Sequence, residues 1–282
     1  MSLFETVNDA FSTARPRRRQ INAMPASVIR LAGSAFILVA PWAALLALWI
    51  GVRHSGLIKP GLVPSPLEVL DQAWSHLQSG ALLGHLAAST LRVAAGVAIG
   101  SALAIPVGFL IGRSPQVRAL INPLINFFRA LPPIALIPLI IVYFGIGESA
   151  KITVLAFAAF FASVIVLYEG IGQIAPIYVH VAKTLGATER EIFARVIFPL
   201  ALPHILTALR VALGVTWATL VAAELIAAQV GLGAMIQVAA SFFQLDIIYL
   251  GIISIGVAAL TMDFALRRLS AHLVVWQERL HP

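Results

Sequence analysis

No cysteine occurs anywhere in the 282 residues, which excludes a disulfide framework, a thiolate metal site and a thiol nucleophile and leaves the redox compartment open. Charge is almost as scarce. Only 11% of residues are Asp, Glu, Lys or Arg, while 60% are hydrophobic, and the mean hydropathy is +0.95. A chain this poor in charge cannot clothe a soluble domain and reads as a multi-span membrane protein. The net charge of +7 does not mark a nucleic-acid binder, because the basic residues sit at the ends of apolar segments without interleaved aromatics. Lipid is the expected surrounding. His54, His76, His85, His180, His204 and His272 lack ligand spacing and there is no H-E-x-x-H, so no metal site is expected. G-x-S-x-G and G-x-x-x-x-G-K-[ST] are also missing, so no catalytic residue is assigned and nothing here can cradle nucleotide phosphates in the usual way.

What the chain has is apolar runs. Residues 1–27 form a polar tail with the basic run Arg15-Pro16-Arg17-Arg18-Arg19, an anchor for the cytoplasmic surface. A first span is expected over about Leu31–Ile50; it ends in Leu48-Trp49-Ile50 and not in a small-residue cleavage site. Within residues 28–85, Ser65-Pro66-Leu67-Glu68 combines a capping box with a proline at the first helical position, which predicts an interfacial helix up to Gly80. The transmembrane core is expected over residues 86–270. Its second span, about Leu86–Ile111, is studded with Gly96, Gly100 and Gly108, small residues that let helices approach in lipid, and Arg92 near its start is expected to snorkel to the headgroups. The run Val117–Phe144 is too long for one straight span and should break at Pro132-Pro133 and Pro138. Further spans are expected over about Lys151–Leu167, Leu202–Ala228 and Ile247–Leu266, with a tail over 271–282. The expected fold is therefore an all-α membrane protein of about six transmembrane helices.

Between the fourth and fifth spans lies the one long polar interruption. Pro176 suits a first helical position, Gly186 a left-handed helix end, and Thr188-Glu189-Arg190-Glu191 a second capping box, with Pro199 expected to stop the second helix near Ile197. Ile177, Val181 and Leu185 line one side of the first piece, and Ile192, Phe193, Val196 and Ile197 one side of the second. Six spans put both termini on one face. The tail, the turn after span two, this knuckle and the C terminus carry thirteen Arg and Lys, Arg113, Arg118, Lys183, Arg190 and Arg195 among them; the opposite loops carry Arg53, Lys59 and Lys151. That asymmetry predicts a cytoplasmic knuckle and cytoplasmic termini in a multi-pass protein of the inner membrane.

Two polar patterns inside the spans could bear function. Arg210, Trp217 and Glu224 recur every seven residues, with Thr216 beside them, and should share a helix face. A charge at mid-membrane costs about 2.5–3.5 kcal/mol on insertion scales, so that face should meet a cavity or a protein interface. Arg210 and Glu224 could line a path or gate, or could be buried ion-pair partners joining spans. Arg129, just before Pro132 and Pro133, could meet an anion where the broken backbone lines a cavity, or a lipid phosphate. Asp263 and Glu169 read as helix-end or intersubunit contacts.

The knuckle residues Ala182, Gly186, Val196 and Pro199 have the spacing of the EAA loop of ABC-importer permeases, with His180-Val181 where that family usually has Glu-Ala and Phe198 in place of the usual Leu. The stretches Phe128–Pro138, Tyr143–Lys151 and Trp217–Ala228 extend the likeness, so that residues 60–270 resemble the nitrate, sulfonate and taurine branch, its taurine permeases most of all. The resemblance implies a type I importer transmembrane domain whose cytoplasmic coupling helix docks on a separate ATPase. It further implies a second permease copy, two ATP-binding subunits that hold ATP and Mg, and an extracytoplasmic substrate-binding protein. The chain would then be a transport subunit and not an enzyme, with no cofactor of its own. It would translocate a small anion, taurine or another sulfonate first among the candidates. His180, Ala182, Lys183, Gly186, Ala187, Thr188, Glu191 and Pro199 fall in the coupling loop, and Arg129, Pro132, Pro133, Arg210, Thr216, Trp217 and Glu224 are the candidates for the path or its gate. An ion-coupled secondary transporter using Glu224 and Arg210 is the alternative.

Overall fold

A computed structural model describes residues 26–56, 58–59 and 61–274. The expected tails lie almost wholly outside these residues. Every regular element among them is helical. The chain divides into two compact units, residues 1–60 and 61–282. The first contains α1, Ala26–His54, 29 residues with Pro41 inside. At 1.5 Å per residue it is about 43 Å long, enough to cross a bilayer.

The second unit opens with α2, Pro66–Gln78, whose capping box forms as the sequence predicts: Ser65 accepts from the Glu68 N–H and Glu68 reaches back to the Ser65 N–H. Then follow α3 (Ala81–Arg113), α4 (Pro115–Ala130), α5 (Pro133–Phe144) and α6 (Glu148–Gly172). The knuckle comprises α7 (Pro176–Thr184) and α8 (Glu189–Ile192), and a π-helical turn over Phe193–Ile197 joins it to α9 (Phe198–Ala227). The chain ends in α10 (Leu232–Ser241) and α11 (Leu245–Leu273). Helices α3, α6, α9 (counted from Glu189) and α11 are each long and apolar enough to cross a membrane, and α4 with α5 forms one broken span bent by 92°.

The centre of the second unit is the α3–α6 pair. Gly96, Gly100, Gly108 and Gly112 of α3, with Ala104 between them, fall at four-residue intervals and so form one ridge. A Cβ at Gly96 would lie 2.5 Å from the Leu155 Cβ, and one at Gly100 only 2.4 Å from the Ala156 carbonyl oxygen. In lipid, where burial of apolar surface gives no net drive, such backbone-to-backbone approach is what holds helices together. Helix α9 packs against α6 and also touches α3. At the knuckle end, Phe109 and Ile111 of α3, Ile125 of α4, Leu167 and Ile171 of α6, and Ile192, Ile197 and Ala201 join in one core.

Two breaks differ from expectation. The bend between α4 and α5 comes at Leu131-Pro132, both in extended conformation, because a residue before proline is pushed out of the helical region. Pro138, expected to break the run as well, lies inside α5. Pro199 does not stop the helix it follows. The Phe198 N–H bonds the Phe193 carbonyl in an i→i+5 step, and the widened turn carries the chain past the proline with the helix axis preserved. The fifth span consequently begins at the knuckle itself, as one run from Glu189 to Ile226.

Candidate coupling knuckle and buried polar cluster

The knuckle is built by local chemistry. Helix α7 ends in a Schellman motif: the Ala187 N–H reaches the Ala182 carbonyl at 3.0 Å and the Gly186 N–H the Lys183 carbonyl at 3.0 Å, with Gly186 at φ +80°, a conformation suited to glycine. Helix α8 starts on the capping box of Thr188 and Glu191. The Lys183 ammonium pairs with Glu189 at 2.7 Å, and Arg113 at the end of α3 approaches the other Glu189 oxygen at 3.6 Å. One carboxylate therefore ties both knuckle helices to the end of α3.

This knuckle has two apolar faces. Val179, Ala182 and Ala187 pack inward on the core, and Ile192 is wholly buried in it. Ile177, Val181 and Leu185 point outward, and Leu185 is 81% exposed. His180, Lys183, Thr188 and Phe198 are exposed as well, and Glu191 is half-buried. A surface with exposed apolar side chains rimmed by charge fits a protein partner better than water.

At the other end of the bundle, four charges and a hydroxyl converge. Glu224 of α9 is 0% exposed. Its carboxylate accepts from Ser89 at 2.8 and 2.9 Å, from the Arg92 guanidinium at 2.6 Å and from the Gly233 N–H at 2.8 Å. Arg92 also donates twice to Glu148, at 2.6 and 2.7 Å, and to the Val230 carbonyl at 2.6 Å. Lys151 pairs with Glu148 at 2.9 Å. The turn before α10 closes over the carboxylate, since a Cβ at Gly231, which has φ +146°, would come within 2.4 Å of a Glu224 oxygen. With two cations and two anions the cluster is neutral, and the Glu224 carboxylate is fully hydrogen-bonded, which makes buried charge tolerable.

These contacts redistribute the polar residues anticipated in the spans. Arg92 does not snorkel: it is 6% exposed and held by two carboxylates. Glu224 pairs with Arg92 and not with Arg210, which lies fourteen residues, or about 21 Å, along the same helix. Arg210 is half exposed and donates to Asp263 of α11 at 3.0 Å, and Arg267 also donates to Asp263. Trp217 and Thr216 are buried, and neither the indole N–H nor the hydroxyl meets a hydrogen-bond partner. Arg129 and Pro132 are exposed at the α4–α5 break, with Pro133 half-buried behind them. Among the described residues no group of three His, Asp or Glu converges as metal ligands would.

Residues 104–275 match the family described as binding-protein-dependent transport system inner membrane component. The chain belongs to this family of ABC-transporter permeases. The permease is 46% identical to a probable ABC transporter permease protein of Brucella abortus (strain 2308) over 218 residues, 77% of this chain and 87% of that one. It is 38% identical to the taurine transport system permease protein TauC of Escherichia coli K12, over 83% of this chain and 87% of the relative. These likenesses put it in the taurine, sulfonate and nitrate branch, as a multi-pass transport subunit and not an enzyme. The fold is shared with the permease of the MetNI methionine ABC transporter in its inward-facing form, with a TM-score of 0.60 at 19% identity over 70% of this chain and 97% of that chain.

Several members of the permease's polar machinery have no local mark in the sequence. Ser89, Arg92 and Glu148 were not among the expected site residues, because Ser89 and Arg92 meet Glu224 135 and 132 residues along the chain and Glu148 lies 56 residues from Arg92. Depth was the usable signal for Arg92: it lies about three turns from the start of α3, and Glu224 about one turn from the end of α9, at the same end of the bundle.

Proposed function

We propose that the permease is the membrane subunit of an ATP-driven importer of a small organic anion, taurine or another sulfonate, and that energy enters through residues 176–199. The observation that supports this reading is the outward apolar face of α7, set by Ile177, Val181 and Leu185, on a knuckle whose inner face is fused to the core. In this reading an ATP-binding subunit covers the outer face. Because α8, the π-helical turn and α9 form one continuous run, closure of the ATPase pulls α9 directly and not through a flexible loop. The Arg92–Glu148–Glu224 cluster ties α3, α6 and α9 at the far end, so that the three move as one body, which is what alternating access by rigid-body rocking needs.

The basic-residue asymmetry supports a cytoplasmic knuckle and cytoplasmic termini. Two copies, each engaging one ATPase, would enclose the path, and a binding protein would deliver substrate from the opposite side. Arg129 is the first candidate to meet the anion, at a backbone break that would line the path. Glu224 and Arg210 are held by separate partners, Arg92 and Asp263, which argues against the ion-coupled alternative that uses the two together. The test is uptake of labelled taurine into proteoliposomes holding permease, ATPase and binding protein. The expected result is ATP-dependent accumulation, and Gly186→Val should sustain hydrolysis while uptake falls at least about tenfold. Accumulation by the permease alone would contradict the proposal.

A further inference from the structure

Two cavities meet at the end of α3 beside the knuckle, and they differ in character. One, of about 380 Å³, lies between the α3 terminus and α4 and is lined by Arg113, Arg118, Asn122 and Asn126. The other, of about 570 Å³, is an open groove floored by Phe109, Phe193 and Phe198 with Leu110 beside them, and it reaches Arg113 and Ser114. Arg113 borders both.

The arginines of the first cavity, whose lining also includes Ile111, Pro115 and Pro123, are short of anionic partners. Arg118 donates one amino group to the Tyr168 carbonyl at 3.3 Å and stacks over the Tyr168 ring at 5.5 Å, while its Nε is buried with no partner. The buried Asn122 amide oxygen also lacks one. No carboxylate pairs with Arg118 among the described residues, and Arg113 pairs with the exposed Glu189 at 3.6 Å through one of its amino groups. A buried guanidinium N–H left unpaired is costly, and the forked donors of two arginines match an oxyanion. The N terminus of α4, capped by Ser114, adds its positive end. The groove across Arg113 offers aromatic surface and almost nothing polar.

We infer that this end of α3 is a site for one anionic phospholipid, its phosphate held by Arg113 and Arg118 and an acyl chain laid along Phe109, Phe193 and Phe198. A free oxyanion would account for the two arginines of the first cavity alone; the aromatic groove that shares Arg113 with it, within the span-forming helices, selects the lipid. Phe193 lies in the π-helical turn that joins knuckle to span, so the lipid would bear on the element proposed to transmit force. The inference rests on that proposal only for its consequence in transport. Binding itself is measured without ATP or substrate, so the two can fail separately.

The test uses the full-length permease, delipidated and titrated with phosphatidylglycerol, with phosphatidylcholine and with inorganic phosphate alone, and read by native mass spectrometry. Phosphatidylglycerol is expected to bind about tenfold or more tightly than phosphatidylcholine. That preference should vanish in Arg118→Gln and in Arg113→Gln and persist in Arg268→Gln. Phe198→Ser should weaken both lipids. Arg113 is exposed enough for its variant to fold even where Arg118→Gln does not. Retention of the preference in Arg113→Gln would overturn the assignment. So would binding of inorganic phosphate in place of lipid, which would mark a free-oxyanion site.

Discussion

Arg92 and Glu224 form the most consequential single contact in the permease, because both are buried and Arg92 is the one cation that pairs with Glu224 among the described residues, while Arg92 also holds Glu148. Removing one partner of a buried pair costs about 3–5 kcal/mol, far more than an exposed pair would. Arg92→Met, which strands the Glu224 charge, is therefore expected to lower the thermal unfolding midpoint of the purified permease sharply, and the Arg92→Met, Glu224→Leu double variant should recover part of the loss. An unchanged midpoint in the single variant would mean that the pair does not hold the helices together. Arg210 makes the contrasting case. Its pair with Asp263 is substantially exposed, and Arg210→Gln should move the midpoint little.

At the scale of elements, the knuckle was the most legible part of the chain, because its determinants are local: a capping box needs three residues and a Schellman end needs one glycine. The two capping boxes, Gly186 and the Pro132 break all follow from such short-range rules. Pro199 was misread for the opposite reason. Whether a proline ends a helix depends on whether the preceding turn can widen, and that is decided by Ile192, Ile197 and the core they enter. The buried cluster was the least legible, since Arg92 and Glu224 are 132 residues apart and nothing near either reveals the other. The glycine ridge of α3 lies between these extremes: its spacing is visible in sequence, but its partner α6 is not. Gly100→Val would drive a side chain into the backbone of Ala156 and Phe160. The expected outcome is a loss of about 1–3 kcal/mol or more, seen as poor membrane yield and early unfolding. Gly84→Val, a glycine with open space around it, should be tolerated.

At the scale of the molecule, the permease joins an exposed knuckle at one end to an ionic cluster at the other, with Arg92 and Glu224 buried and Glu148 at its exposed edge, through three tightly packed helices. In the proposed reading the first collects force and the second keeps α3, α6 and α9 from sliding past one another. The absence of native cysteine makes the arrangement directly testable, since one introduced thiol is unique in the chain. Leu185→Cys at the tip of the knuckle and Phe242→Cys after α10, both at highly exposed positions, can be treated with a thiol–amine cross-linker in the assembled transporter. The account predicts an adduct with the ATP-binding subunit from Leu185→Cys and none from Phe242→Cys. An adduct from Phe242→Cys alone, or none from Leu185→Cys in a transporter that still hydrolyses ATP, would contradict it.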